Sequence, residues 1–344
     1  MNATVASYPV YADLRWPHIT GIGKVQTACA DAAPQHVRLI NLPVPGGLGN
    51  PAAPIALTWA LQRASAVEGI FWSPGFFPPA WARIPTIVTV HDLTHRLFYS
   101  RLHRTYYDLV LKPLYRHCAA IICVSEFTRD AFLSWSKMAA HKVHLVLNGV
   151  SPEFSGNTQT LDLPYPYVLY SGNHRPYKNL TRLLTAYAQS RLPQNHIHLV
   201  LTGENNIDLQ SQANALGIAD YVHFCGWLDG SDLPRLYRGA LGVAYISLYE
   251  GFGLPIVEAM ASGVPVLTAN VSSMPEVAGD AALLVDPYSI GEIAEGLNTL
   301  VLDEATRQQL IYRGTARISL FDWKKSAAHL WAIIDSIAMR DERP

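Results

Sequence analysis

Two carboxylates, Glu250 and Glu258, stand on either side of a glycine-rich turn in the segment Tyr249-Glu250-Gly251-Phe252-Gly253-Leu254-Pro255-Ile256-Val257-Glu258. The apolar run 241–246 ahead of it reads as a buried strand, and Leu254 to Ala261 reads as a short helix with Pro255 in its first turn. The turn therefore joins a strand end to a helix start. Gly251 and Gly253, flanking Phe252, let the backbone approach a ligand closely, and the free N–H groups running to Leu254 and beyond form a site for phosphate or a developing negative charge. Glu250, ahead of the turn, can reach a polar group beside that anion. Glu258, a little over one helical turn inside, can hold a second group such as a ribose diol. A nucleotide sugar offers both. The plainer reading, a loop carboxylate and an exposed helix carboxylate, also fits the segment by itself, because strand-glycine-helix turns bind anions of many kinds.

A second cluster sits in Gly172-Asn173-His174-Arg175-Pro176-Tyr177-Lys178-Asn179-Leu180, between a strand-like run and a helix-forming stretch. Cations are normally disfavoured at a helix start. A diphosphate would explain them, with Lys178 as a point charge and Arg175 as a bidentate partner. His91 ends the run Thr86 to Val90 and is followed by Asp92. A histidine at the end of a parallel strand faces the ligand crevice and titrates near neutrality, which suits a catalytic role; a core imidazole satisfied by backbone is the alternative. Asp92 can orient His91 or accept a proton from an incoming hydroxyl. Arg15 and Lys24 flank Gly21 and Gly23, which open a helix after the first strand, and add positive charge there.

These residues need a scaffold that brings distant strand ends together. Short apolar runs at 37–41, 69–72, 86–90, 120–124 and 143–147 alternate with helix-length patterns, as they do again at 167–171, 196–202, 221–224, 241–246, 264–268 and 282–285. Such alternation implies parallel sheets covered by helices. The expected class is α/β, with two doubly wound domains: 1–150, then a proline-containing linker 151–166, then 167–322. An amphipathic helix follows over 323–340.

Composition narrows the function. With 26 Lys and Arg against 27 Asp and Glu in 344 residues, the chain is near neutral, so bulk nucleic-acid binding is not expected. No signal-peptide order and no membrane-length apolar run is present, which implies a cytoplasmic protein. The scattered Cys29, Cys118, Cys123 and Cys225 read as reduced core thiols, and disorder is expected only at the ends, notably 341–344. One region complicates the soluble reading. Between His95 and Arg116 the cations Arg96, Arg101, Arg104, Lys112 and Arg116 alternate with Phe98, Tyr99, Tyr106, Tyr107 and Tyr115. A basic, aromatic-rich helix of this kind suits peripheral contact with an anionic membrane, its rings at headgroup level. A helix packing its rings inward and showing its cations to water fits the pattern equally.

The glycine-rich segment continues through Gly263-Val264-Pro265-Val266, Ser272-Ser273-Met274-Pro275-Glu276 and Gly279-Asp280-Ala281-Ala282. Over this length it resembles the C-terminal half of family 4 retaining glycosyltransferases. The Lys178 segment is similar to that family's Gly-x-x-x-Pro-x-Lys-Asn element, with Tyr177 where many members carry Arg. Gly21-Ile22-Gly23-Lys24 resembles its Gly-Ile-Gly-Arg loop over the donor diphosphate, and His91-Asp92-Leu93 resembles its His-Asp-Leu element. The resemblance covers nearly the whole chain. It implies a GT-B fold, two Rossmann-like domains facing across a cleft, with the last helix crossing back to the first domain. It further implies that Glu250 contacts the donor sugar hydroxyls and Glu258 the ribose. Bacterial mannosyltransferases of surface polysaccharide assembly are the nearest likeness. The expected donor is then GDP-mannose, with UDP-glucose second, and the expected acceptor a saccharide, lipid-linked or soluble, reached from the inner face of the plasma membrane. No metal is expected, since Lys178, Arg175 and the Gly251–Leu254 amides can neutralise the diphosphate. A nucleotide-sugar 2-epimerase and a non-catalytic sugar-nucleotide-binding subunit are the rival readings.

Overall fold

The computed structural model describes residues 7–228 and 230–341; of the end expected to be disordered, 341–344, residues 342–344 lie outside them, while Asp341 closes the last helix. The chain divides into two compact units, one of residues up to Gly149 together with those from Asp322 onward, the other Val150–Phe321.

In the first unit the strands β1 (Tyr8–Ala12), β2 (Val37–Asn41), β3 (Ile70–Ser73), β4 (Thr86–Val90), β5 (Ala120–Cys123) and β6 (Val143–Leu145) form one parallel sheet in the order β2-β1-β3-β4-β5-β6. The inner strands are buried along their whole length, as expected for a parallel sheet covered on both faces. One face packs a core around Leu57, Phe71, Tyr115 and Phe132. The other packs against the C-terminal helix Trp323–Asp341. That helix is fastened by its polar tips: Trp331 Nε1 donates to the Cys29 carbonyl at 2.9 Å, and Tyr8 Oη to Asp335 at 2.5 Å. The last helix thus belongs to the first unit.

The second unit holds β7 (Tyr167–Tyr170), β8 (His198–Leu201), β9 (Val222–Phe224), β10 (Gly242–Tyr245), β11 (Val266–Ala269) and β12 (Ala282–Val285), all parallel, in the order β12-β11-β10-β7-β8-β9. This is the doubly wound Rossmann order, whose direction of strand addition reverses between β7 and β10. The stretch 151–166 is not a free linker. Its short helix Pro152–Gly156 buries Phe154 edge-on against Tyr237, and Leu161 N–H donates to the Arg235 carbonyl at 3.1 Å, so the segment is part of the second unit.

The basic stretch 95–116 is not one amphipathic helix. It breaks at the extended Tyr99, restarts as Arg101–Tyr106, widens to a π-turn over Tyr107–Leu111 and ends as Lys112–Arg116. Pro113 carries no N–H for the i−4 ladder, and the wide turn directly before it absorbs that loss. Tyr107 and Tyr115 point into the core, which removes these two rings from the expected headgroup level, while Phe98 is 42% exposed and Arg101 and Arg104 are exposed beside Leu102 and Leu109, 81% and 72% exposed. Cys29, Cys118 and Cys123 are buried free thiols, burial pushing the first two up to about 12, whereas Cys225 is only half-buried.

Candidate active site

The reversal point of the second sheet lies between β7 and β10, and ligands of open α/β sheets bind beyond the carboxyl ends of strands at such points. The chain leaves β7 into the Lys178 segment and leaves β10 into the Glu250 turn. Topology therefore brings together residues 72 apart in sequence. Lys178 Nζ lies 2.7 Å from Glu250 Oε1 and donates to Tyr245 Oη at 2.8 Å. The Lys178 and Glu250 side chains are only 9% and 12% exposed, so this is a nearly buried ion pair. Tyr245 also hydrogen-bonds Glu250, closing a triangle of ammonium, carboxylate and phenol. Burial, and then the Glu250 charge, push the Tyr245 hydroxyl well above its ordinary value, so it stays a proton-bearing donor to the carboxylate.

Each corner of the triangle is braced. Lys178 ends a 3₁₀ turn, Pro176–Lys178, and is followed by Asn179 in the left-handed region at φ 64°. The Asn179 amide offsets that strain by donating to the Ile246 carbonyl at 3.1 Å and the Pro287 carbonyl at 2.7 Å, which ties the Lys178 turn to the end of β10. Glu250 is clamped through its backbone: its N–H donates to Ser272 Oγ at 3.1 Å, and Ser273 Oγ donates to its carbonyl at 3.0 Å and to that of Phe252 at 2.9 Å. Gly253 has φ 106°, and there an added Cβ would stand 3.0 Å from Ile256. Only glycine adopts that backbone readily, and the helix Leu254–Ala261 begins directly after it with no side-chain cap on its first N–H groups.

Glu258 is 4% exposed, so it is not the exposed helix carboxylate of the plainer reading. Its Oε2 accepts from Tyr237 Oη at 2.9 Å, and Tyr237 in turn hydrogen-bonds Ser171 at the end of β7. Burial, then the Glu258 charge, hold the Tyr237 phenol well above its ordinary value, again a fixed donor. Arg175 is exposed ahead of the Lys178 turn. Trp227 is 61% exposed. Among the described residues no three histidine, cysteine, aspartate or glutamate side chains gather in metal-binding geometry.

In the first unit His91 follows β4, and its Nε2 lies 2.7 Å from the Pro74 carbonyl. A carbonyl only accepts, so Nε2 carries the proton and Nδ1 presents a lone pair. Burial pushes His91 below its ordinary value, against smaller opposing pulls from the Pro74 hydrogen bond and the Asp92 charge, which keeps the ring neutral. Asp92 does not orient His91 by a hydrogen bond; Oδ1 accepts from the Thr94 N–H at 2.7 Å, turning the chain into the next helix. Gly21 starts the helix Gly21–Asp31, capped by Thr20, and Gly23 is required by chain packing: a Cβ there would stand 1.8 Å from the Pro17 carbonyl oxygen. Arg15 is paired, since Asp13 takes its guanidinium at 2.6 and 2.9 Å and its Nη1 donates to the Val44 and Gly46 carbonyls.

Two family models match the chain. That of the glycosyl transferases group 1 matches residues 154–317, and that of glycosyltransferase family 4 matches residues 23–154. The Escherichia coli O-antigen chain mannosyltransferase B is 30% identical over 284 residues, 77% of this chain and 73% of that protein. This chain belongs to glycosyltransferase family 4. It is a hexosyltransferase of the retaining, GT-B type. The MMP alpha-(1->4)-mannosyltransferase of Mycolicibacterium hassiacum is 27% identical over 277 residues, 74% of this chain and 66% of its own length. Among solved structures, the Anabaena protein HepE in complex with UDP-glucose shares the fold, with a TM-score of 0.73 at 20% identity over 95% of this chain and 99% of that one. No described helix is long and apolar enough to cross a membrane.

The two tyrosines were not legible as site residues. Tyr245 carries the only hydroxyl in an otherwise apolar β10, and a buried phenol normally seeks a partner, which was the available signal. Tyr237 lies on the helix Asp232–Gly239, whose pattern points it inward without saying toward what.

Proposed function

We propose that this glycosyltransferase moves a mannosyl residue, with retention, from GDP-mannose to a saccharide acceptor, lipid-linked, in surface polysaccharide assembly. The observation that carries the donor reading is the Lys178–Glu250–Tyr245 triangle at the reversal point, in the turn that leads into a helix start without a side-chain cap. A cation and amide dipoles stand where the leaving diphosphate gathers charge, so preorganised electrostatics supply much of the rate. In this reading Lys178 and the Gly251–Leu254 amides stabilise the leaving diphosphate, with Arg175 assisting from the exposed loop. Glu250 holds donor sugar hydroxyls. Glu258, presented by Tyr237, holds the ribose diol. Neutral His91, with Nδ1 as acceptor, takes a hydrogen bond from a sugar hydroxyl. The acceptor hydroxyl attacks on the face the diphosphate leaves, its new C–O bond forming as the bond to the diphosphate breaks and its proton passing to the departing phosphate oxygen, without a covalent intermediate and without a metal. The choice of mannose is supported by the mannosyltransferase names of the two relatives. Arg101, Arg104 and Lys112, with the exposed Leu102 and Leu109, form a basic and apolar surface that we assign to an anionic membrane.

Thermal unfolding with GDP, UDP, ADP and dTDP and their sugars tests the donor. A ligand at 100 times its Kd adds about 2.7 kcal/mol, so GDP and GDP-mannose should raise the melting temperature selectively. A UDP-selective rise transfers the reading to glucosyl transfer, and no rise with any nucleotide refutes it. Turnover that persists in excess chelator supports metal independence, and its loss overturns that part. Sedimentation with anionic vesicles, unchanged when Arg101, Arg104 and Lys112 are replaced together, would refute the membrane contact.

A further inference from the structure

The first unit carries a second hollow that takes no part in the chemistry above. It measures about 250 Å³ and opens between the helix Ala53–Arg63 and the loop leading into β4. Its wall combines Thr58, Gln62 and Ser65 with the Trp81 indole and Arg83. Two tryptophans stand out of the surface here: Trp81 is 53% exposed and Trp59, one residue along the helix from Thr58, is 45% exposed. Each ring is steadied by a guanidinium, Arg63 at 4.7 Å from the Trp59 centroid and Arg83 at 5.7 Å from that of Trp81. The wall is held in place before any ligand arrives. Thr58 Oγ1 accepts from the Trp81 N–H and donates to its carbonyl, both at 2.9 Å, and Ala80 N–H donates to the Pro54 carbonyl at 2.8 Å.

We propose that this hollow is an auxiliary saccharide-binding subsite that holds a ring of a glycan chain against the Trp81 indole. A pyranose ring has an apolar face and a hydroxyl edge. It needs an aromatic plate beside hydrogen-bonding groups that both donate and accept, which Trp81 supplies with Gln62, Ser65 and Arg83. The volume falls below the roughly 300–1,000 Å³ of sites for larger ligands, which suits one ring and not a nucleotide sugar. No carboxylate lines it. A bilayer contact would need apolar groups projecting together from a convex face, and here Leu61, Ala66, Val67 and Ala82 line a concavity together with the polar Thr58, Gln62, Ser65 and Arg83. The subsite rests on the proposed function only for the choice of mannose in the probe.

The test is saturation-transfer NMR with short and long linear oligomannosides on the full chain, GDP being present to occupy the donor site. The expected result is binding that strengthens with chain length and falls about tenfold in the W59A/W81A variant, the usual loss on removing an aromatic anchor. Trp81→Phe, which keeps an aromatic plate, should retain most of it. The GDP-dependent rise in melting temperature should be the same in variant and parent, which separates loss of the subsite from loss of the fold or of donor binding. Equal oligomannoside binding in W59A/W81A and parent, or none in the parent, overturns the proposal. Loss of anionic-vesicle sedimentation in the variant with glycan binding intact assigns the surface to the membrane instead. A missing GDP response in the parent would refute the mannosyl donor while leaving the glycan comparison readable.

Discussion

Replacing Lys178 and Glu250 singly and together separates what their ion pair does for the fold from what it does for the reaction. Both side chains are nearly buried and 2.7 Å apart, so Lys178→Met leaves a carboxylate without its cation, and Glu250→Gln leaves an ammonium facing a neutral amide. Breaking one side of a buried pair costs about 3–5 kcal/mol, while replacing both partners is near neutral because no charge is left desolvated. The residual exposure of both groups places the single variants at the lower end. For the second unit, about 170 residues, 1 kcal/mol moves the melting temperature by roughly 2–4 °C, so each single variant should melt about 6–12 °C lower. K178M/E250Q should recover most of that, because the amide put at 250 still accepts from Tyr245. Urea unfolding of all four proteins gives the coupling energy. Activity should not recover: losing the charge-assisted contact to the diphosphate, about 1.5–3 kcal/mol, lowers kcat/KM by roughly 10–150-fold in every variant that lacks Lys178. Single-variant losses that simply add, within about 0.5 kcal/mol, would refute the ion pair as drawn. Parent-level turnover in Lys178→Met would remove that residue from the donor site.

Tyr237→Phe keeps the packing on Phe154 and deletes the hydroxyl that presents Glu258, so the donor KM should rise about tenfold with kcat little changed, and a fall confined to kcat would contradict Glu258 as the ribose ligand. His91→Ala should lower kcat more than it alters KM, and an unchanged kcat would leave His91 a packing residue. Burial depresses His91, His198 and His223 below the ordinary histidine value of 6.5. The unfolded chain then binds more protons than the folded one between 6.5 and the lower folded values, so stability is full above about pH 6.5 and declines as pH falls through that window. Melting temperatures measured from pH 8 to pH 5 should show this decline, shallower in His91→Ala; a flat profile would refute burial as the cause.

Much of the site was legible before the fold was known. Glycine at 253 and proline at 255 dictate a left-handed residue and a helix start in local terms, whatever surrounds them, and the alternation of apolar runs with helix-length patterns is a local property that implies parallel sheets. Lys178, Glu250 and Glu258 stood out because their types are unusual at those local positions. Their partners could not be read in this way. Hydrogen bonds such as those of Tyr245 to Lys178 and of Tyr237 to Glu258 join residues 67 and 21 positions apart, and depend on which strands lie side by side. The order β12-β11-β10-β7-β8-β9 decides that, and no spacing rule encodes it. The same holds for what was misplaced. The 151–166 stretch looked like a linker because proline and low periodicity are read locally, yet Phe154 found a buried partner in Tyr237. Arg15 looked like free positive charge until the chain folded its donors onto Asp13 and the Val44 and Gly46 carbonyls. Residue types and short spacings determined which groups were chemically unusual; long-range strand pairing decided which of them meet, because a contact between distant residues is a property of the packed sheet and not of either segment.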